Sequence, residues 1–384
     1  MTFSLTVSDF GMNPICFPDY DHSILGITTS VLKYYGVRSE YATIPVLDKA
    51  LEKKYKNIVL WILDGLGLDL IGKALSARSF LRRHIRDSVS SVFPPTTVAA
   101  TTTYYSGLPP IVHGWVGWSP YFSKYNRCIE LFSGLDTYTR EQTGINGRKV
   151  MPYRHIFDQI SEVSPDVCCT EELPKKIIET GAETFAEQCQ RIKLQAECDG
   201  KQFILAYWPE PDHNCHHEGT YVDSTKKIIR MMNAEIKRLC RDLKDTLVII
   251  SADHGHVPVK ETFYIDTCSE LTDPLAVPLN LDDRVSAIYL KKGKEKDFLN
   301  AFQKYLATDF ILMKSEDAVE RGLFGRGCIH PGFKDFLGDY LLIATGERCL
   351  RQRVGEYTSG PEMKSSHAGI SEREMIVPLI LVER

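Results

Sequence analysis

The stretch Thr246-Leu247-Val248-Ile249-Ile250-Ser251-Ala252-Asp253-His254-Gly255-His256 decides the architecture. Thr246 to Ile250 is uncharged and mostly β-branched, the composition of a buried strand. The apolar run stops at a carboxylate and an imidazole, and Gly255 lets the backbone turn away sharply. Groups at the carboxyl end of such a strand stand where α/β proteins build their sites. Both are good ligands for a divalent metal.

Working outward, Asn57 to Leu63 is a second apolar run of strand length, followed by Asp64-Gly65-Leu66-Gly67. Phe203 to Tyr207 is a third, ending in Pro209-Glu210-Pro211-Asp212. Val89 to Phe93 predicts a short strand that leads into Pro94-Pro95-Thr96-Thr97. Helical spacing is read over Ser23 to Tyr35, Leu68 to Ile85, Phe185 to Cys198 and Ser224 to Leu243. In the second of these, Leu70, Ile71, Ala74, Leu75 and Leu81 share a face opposite Arg78, Arg82, Arg83 and Arg86. Thr101, Thr102 and Thr103 fall in a further helix start behind Thr97. This alternation predicts an α/β fold, a doubly wound, mostly parallel central sheet flanked by helices.

From about Val257 to Gly346 the texture changes. Val285 to Leu290, Glu295 to Leu306 and Phe310 to Met313 read as a β-α-β unit, so residues 257–346 are expected to be a small α+β subdomain inserted in one domain of 1–384. The chain rejoins the main sheet through Ile376 to Val382, where Pro378 predicts an edge position or a bulge.

Hydrophobic residues make up 43% and charged residues 25% of the 384 residues, values of a globular protein with ample core. A net charge of −4 argues against general nucleic-acid binding, which needs a basic face. Met1 to Pro18 lacks the pattern of an export signal and no apolar run reaches membrane-span length. The eleven cysteines include no C-x-x-C, and are expected to be free thiols in a reducing cytoplasm.

Metal-seeking groups recur after the apolar runs: Asp64; Thr97 after the Pro-Pro turn; Asp212 with His216; Asp253 with His254; and His367 in Ser365-Ser366-His367-Ala368-Gly369. Taken in this order, the segments resemble the alkaline phosphatase superfamily, and within it the nucleotide pyrophosphatase/phosphodiesterase (type I phosphodiesterase) branch. Thr97 lies ten residues before Gly107, with Pro109 and His113-Gly114 following; Thr96 competes, but this spacing favours Thr97. Pro211-Asp212, His216 and Gly219 keep the next spacing of that branch. Two positions depart from it: Trp118 stands where an Asn usually binds a phosphoryl oxygen, and Ala368 separates His367 from Gly369.

The resemblance implies an alkaline-phosphatase-like fold and two divalent metal ions. One would be held by Asp212, His216 and His367; the other by Asp64, Asp253, His254 and the Thr97 hydroxyl. The mixed nitrogen and oxygen donors suit Zn²⁺ best, with Mn²⁺ or Fe²⁺ as alternatives. Thr97 would be the nucleophile of a hydrolase acting on phosphodiester or phosphoanhydride bonds of a small-molecule or nucleotide substrate. Within the superfamily the alternative is a phosphatase or a phosphonoacetate-type hydrolase; outside enzymology it is a non-catalytic metal-binding protein that keeps the fold.

Pro94 to Val112 carries no Lys, Arg, Asp or Glu, which leans toward diesters because a dianionic monoester needs more positive charge. Arg154 or Arg348 could still bring that charge. Thr101, Trp115 and Tyr121 are candidate substrate contacts, with Trp118 a further stacking surface or a packing residue. His213, His217 and His256 adjoin the ligand positions without being assigned to them, and Cys215 reads as a small buried thiol.

Overall fold

The computed structural model describes residues 14–355 and 362–384; most of the Met1 to Pro18 segment lies outside them. Its central sheet is built from β1 (Asn57–Leu63), β2 (Ile85–Ser90), β3 (Val167–Glu172), β4 (Lys201–Trp208) and β5 (Thr246–Ser251). Between β5 and the last strand lies a second sheet of β6 (Val285–Ile288), β7 (Phe310–Lys314) and β8 (Tyr340–Ala344), after which β9 (Ile376–Glu383) returns to the first. The central order is β2-β9-β5-β1-β4-β3. β5, β1, β4 and β3 are mutually parallel, and β9 runs antiparallel to both of its neighbours. The expected α/β architecture with a mostly parallel sheet is therefore present.

β1 and β5 are buried along their whole length, which is why both read as continuous apolar runs instead of alternating ones. The flanking helices are α1 (Ile24–Tyr34), α2 (Leu68–Ala74), α3 (Thr97–Ser106), α4 (Phe185–Glu197), α5 (Asp212–Glu218) and α6 (Asp223–Asp242). Trp61 stacks on Phe185 of α4 and donates its indole N–H to Gln188 at 3.0 Å. A polar group in this core is thus satisfied by the helix that covers it.

Three details differ from expectation. The helix expected over Leu68 to Ile85 is two helices, α2 and Phe80–His84, because Leu75 turns extended and the Arg82 guanidinium caps its carbonyl. The strand expected at Val89 to Phe93 begins at Ile85 and ends at Ser90. Pro378 lies in an interior strand, where it is paired only on the β2 side; pairing with β5 starts at Ile380, and the register shifts at Leu379/Ile380. The bulge reading applies, and the missing N–H breaks no ladder bond on the β5 side.

In the second sheet β8 is central and antiparallel to β6 and β7. β6 and β7 thus run the same way with a helix, α7 (Glu295–Tyr305), between them. This split β-α-β unit has its own core around Phe298, Leu306, Phe310 and Leu342. It is joined to the main sheet by a fully buried ion pair. Arg284, just before β6, donates Nε to Glu374 Oε1 at 2.6 Å and Nη2 to Oε2 at 2.9 Å. Glu374 also accepts from Gly369 N–H at 2.7 Å and the Ser371 hydroxyl at 2.6 Å, so the pair fixes the loop that carries His367.

Candidate metal centre

Each segment singled out in the sequence arrives at the carboxyl end of the central sheet. Asp64 follows β1, Asp212 opens α5 after β4, Asp253 and His254 follow β5, and Thr97 is the first residue of α3. The antiparallel pair Ser365–Ser366 with Val257–Pro258 brings His367 back beside them. Gly65 is required at the crossing: its φ is +70°, and a Cβ there would sit 2.8 Å from the His256 ring and 2.9 Å from Asp212 Cβ. At Gly255 a Cβ would fall 2.0 Å from the Arg373 carbonyl oxygen, so the Asp-His-Gly turn excludes any larger residue.

Three ligand groupings result: Asp64 with Asp253 and His254; Asp212 with His254 and His367; and Asp212 with His216 and His256. The His254 Nε2 lies 3.4 Å from Asp64, 3.3 Å from Asp253 and 3.3 Å from the Thr97 hydroxyl. Asp212 Oδ1 faces Nε2 of His256 at 2.7 Å, of His216 at 3.2 Å and of His367 at 3.7 Å.

The hydrogen bonds on the far side of each imidazole fix what its near side offers. His216 Nδ1 meets Ser365 O at 2.8 Å, His254 Nδ1 meets Gly255 O at 3.1 Å, and His367 Nδ1 meets Pro95 O at 3.1 Å. A carbonyl oxygen only accepts, so Nδ1 carries the proton and a neutral ring aims its Nε2 lone pair inward. His256 follows the same logic: the Ser365 hydroxyl donates to Cys215 O at 2.7 Å and thus accepts from His256 Nδ1 at 3.2 Å.

Inside, then, the Nε2 atoms face carboxylates, and Asp64 Oδ1 and Asp253 Oδ2 are buried with no hydrogen-bond partner among the described residues. Burial, then the charges of Asp212 and Asp253, push the Asp64 carboxyl well above its usual range. Burial alone would depress His216, yet Asp212 raises it to about 9; a proton occupies a position that a metal cation can take. Burial holds His256 down to about 4 and His367 well below the usual range, keeping both neutral and able to ligate. This donor set fits divalent metal.

Above the cluster opens a cleft of about 490 Å³ whose wall includes Thr96, Thr97, Trp118, Asp212, His213, His216, His217 and His367. Of the candidate substrate contacts Thr101, Trp115 and Tyr121, none lines it. Trp115 is buried in a hydrophobic cluster with Phe93, Val116 and Leu131 and donates to Met151 O at 2.9 Å. Tyr121 packs on Tyr289 and donates to Asn126, and Thr101 donates its hydroxyl to Thr97 O at 2.6 Å within α3. Trp118 is the aromatic residue of that segment that reaches the cleft, 41% exposed.

Thr96 is tied to Asp282 Oδ2 at 3.0 Å, which leaves Thr97 as the hydroxyl beside His254. Cys215 is buried and belongs to none of the three groupings; burial pushes its thiol well up. Two residues at this centre are not assigned to it by sequence: His256, named only as a neighbour of the ligands, faces Asp212, and Tyr207 donates its hydroxyl to Asp64 Oδ2. For His256 the proximity to Asp253-His254 was a signal; Tyr207 looked like one more apolar position of β4.

A family model described as type I phosphodiesterase / nucleotide pyrophosphatase matches residues 151–321, the stretch that carries Asp212, His216, Asp253 and His254. No curated protein matches the chain significantly. Murine ectonucleotide pyrophosphatase/phosphodiesterase 5 superposes with a TM-score of 0.62 at 17% identity, over 84% of this chain and 87% of that one. An inactive threonine-to-alanine variant of the murine protein in complex with AMP gives 0.62 at 16% identity, with the same coverage. Phosphonoacetate hydrolase from Sinorhizobium meliloti 1021, in complex with phosphonoformate, gives 0.60 at 18% identity over 84% and 89%. The resemblance to the alkaline phosphatase superfamily and its phosphodiesterase branch is borne out by these matches, and the structural likeness extends to the fold as a whole.

Proposed function

We propose that the chain is a metal-dependent hydrolase of phosphodiester or phosphoanhydride bonds that works through a phosphoryl-Thr97 intermediate. The observation that carries this reading is the position of the Thr97 hydroxyl, 3.3 Å from His254 Nε2, at the start of α3 and on the wall of the cleft. Asp64, Asp253 and His254 would hold one divalent ion together with Thr97. Asp212, His216 and His367 would hold a second, with His256 an additional donor. Zn²⁺ suits these donors best, with Mn²⁺ or Fe²⁺ as alternatives. Bound there, such ions supply charge neutralisation and ease loss of a hydroxyl proton near neutral pH.

The remaining work falls to the chain itself. The Thr97 hydroxyl is oriented by the turn from Pro95 and by its place as the first residue of α3. The N–H end of that helix faces the cleft, where it favours an anionic phosphoryl group; this partly replaces the Asn absent at Trp118. Tyr207, donating to Asp64, and Ser365, bonded to His216 and His256, keep the ligand side chains aimed.

The charge on the cleft wall favours a diester over a monoester. Among the described lining residues Arg351 is the only Lys or Arg, and it is bonded to Asp283 at 3.0 Å. Arg154 pairs with Glu162, Arg348 with Glu261, and neither lines the cleft. A carboxylated phosphonate is disfavoured by the same wall. No helix among the described residues is long and apolar enough to cross a membrane, and all eleven cysteines are free thiols; the thiols support a cytoplasmic location. The test is hydrolysis of bis(4-nitrophenyl) phosphate by wild type and Thr97→Ala. Turnover lost on the order of 10³-fold with metal content retained is the expected result. Near-normal turnover by the variant would mean that water attacks directly, and absence of turnover in the metal-loaded wild type would leave the non-catalytic reading.

A further inference from the structure

Beyond Thr97, the cleft carries hydrogen-bond acceptors that no described residue uses. Asn280 lines it and is 3% exposed. Its Nδ2 donates to Pro278 O at 3.0 Å and Ala287 O at 2.8 Å. Both amide hydrogens are committed, so the orientation of the side chain is settled and its Oδ1 is left as a buried acceptor without a partner. An orphaned buried acceptor is destabilising unless something donates to it. Thr137, on the same wall, has a buried hydroxyl with no partner either.

Two residues along the chain, Asp282 also lines the cleft. It accepts from the Thr96 hydroxyl at 3.0 Å and from Asp283 N–H at 3.0 Å. Among the described residues no Lys, Arg or His lies within ion-pair distance of Asp282 or of Glu362, which also lines the cleft. Burial and the Asp283 charge push the Asp282 carboxyl up to about 7, a cost that an incoming cation would remove. The exposed face of Trp118 completes the wall, and an indole face attracts a cation.

Acceptors, carboxylates without a cation in ion-pair contact and an indole select for a ligand that is both cationic and rich in N–H. We propose that this end of the cleft is a subsite for a primary alkylammonium group carried by an organic substituent of the phosphodiester substrate, with Asn280 Oδ1 and Asp282 as its acceptors. A quaternary ammonium would satisfy the charge but leave Asn280 Oδ1 without a donor. A polyphosphate tail would meet carboxylates. The inference rests on the phosphodiesterase reading and narrows its substrate class.

The experiment compares three chromogenic diesters on the metal-loaded protein: 4-nitrophenyl phosphates esterified with a 2-aminoethyl, a 2-(trimethylammonio)ethyl or a propyl group. The aminoethyl ester should exceed the propyl ester in kcat/KM by about tenfold or more, the size of one charge-assisted hydrogen bond. The trimethylammonio ester should fall between them. Asp282→Asn should collapse the aminoethyl-to-propyl ratio toward unity, and Asn280→Leu should erase the aminoethyl-to-trimethylammonio difference. Because Asn280 also supports Pro278 and Ala287, the wild-type panel stands as the decisive arm if that variant does not fold. Equal rates on all three esters, or a preference for the propyl ester, overturn the subsite and leave the phosphodiesterase reading intact. Turnover of none of them sinks that reading and the subsite with it.

Discussion

At Arg284 and Glu374 buried charges meet their opposites; at Asp64, Asp212 and Asp253 carboxylates meet one another. Asp64 and Asp253 are as buried as the ion pair, with Asp212 partly exposed at the cleft, and both clusters anchor the segment from Ser365 to Glu374, one through Glu374 and the other through His367. The pair is complete within the chain: each carboxylate oxygen of Glu374 is bonded to the guanidinium, and Arg284 also reaches the Gly346 and Arg348 carbonyls. The carboxylate cluster leaves Asp64 Oδ1 and Asp253 Oδ2 bare and lets burial and like charge raise Asp64. A buried pair holds two parts of a fold together. Asp212 has the His216 imidazole as its partner, but the repulsion that remains at Asp64 is what a divalent cation would relieve, and that is how a candidate metal centre differs from a structural joint.

The sharpest way to break this contrast is Asp253→Asn. Turnover should fall on the order of 10³-fold, the several kcal/mol that a positioned ion contributes, while the fold persists. Metal analysis should show loss from the Asp64/His254 group, with His216→Ala or His367→Ala depleting the other ion instead. Depletion of both ions in every variant would mean that the two ligand sets act as one.

Glu374→Gln comes next. It strands the Arg284 guanidinium in the core and should cost about 3–5 kcal/mol in urea unfolding. The double change Arg284→Met with Glu374→Leu should recover most of that loss. A single variant within about 1 kcal/mol of wild type would remove the joint from the argument.

Smaller, and opposite in sign, is Asp64→Asn in chelated protein. Relieving a buried, repelled carboxylate should stabilise the metal-free fold by about 1–2 kcal/mol while abolishing activity, the trade that functional sites commonly show. A destabilised apo variant would show that the Tyr207 hydroxyl bond outweighs the repulsion.

The smallest effect concerns His113 behind α3. Its Nδ1 accepts from Trp115 N–H at 3.0 Å, and its Nε2 meets a Thr103 hydroxyl already donating to Ala99 O, so the ring is neutral. Burial lowers its pKa to about 3. The unfolded chain therefore binds a proton that the folded one refuses between pH 6.5 and about 3. The stability this confers is full above pH 6.5 and is lost as pH falls through that window. Between pH 7 and 5 the wild type should lose about 1–2 kcal/mol more than His113→Gln, read from urea midpoints. Parallel losses would place the acid sensitivity elsewhere.

The sequence by itself determined the strands that are buried on both faces and the residues at their ends. β1 and β5 were legible because a doubly covered strand must be apolar throughout, and Asp64, Asp212 and Asp253 because charges cannot occur inside such runs. β3, Val167–Glu172, was not: an edge strand with one open side can carry Cys168, Thr170 and Glu171, and its pattern resembles a loop. The long helix read over Leu68 to Ile85 failed because apolar spacing survives a break that a side-chain cap makes. Tertiary structure alone decided what lay across from what. Trp115 and Trp118 are three residues apart, yet one fills a core and the other faces the cleft, a choice made by the elements that pack on the segment. Likewise the proximity of His256 to Asp212 and the Arg284–Glu374 bond join positions 44 and 90 residues apart, and the orphaned Asn280 Oδ1 depends on which partners remain after folding. Local composition records whether a residue can be buried; only the assembled fold determines which of its hydrogen bonds are left over.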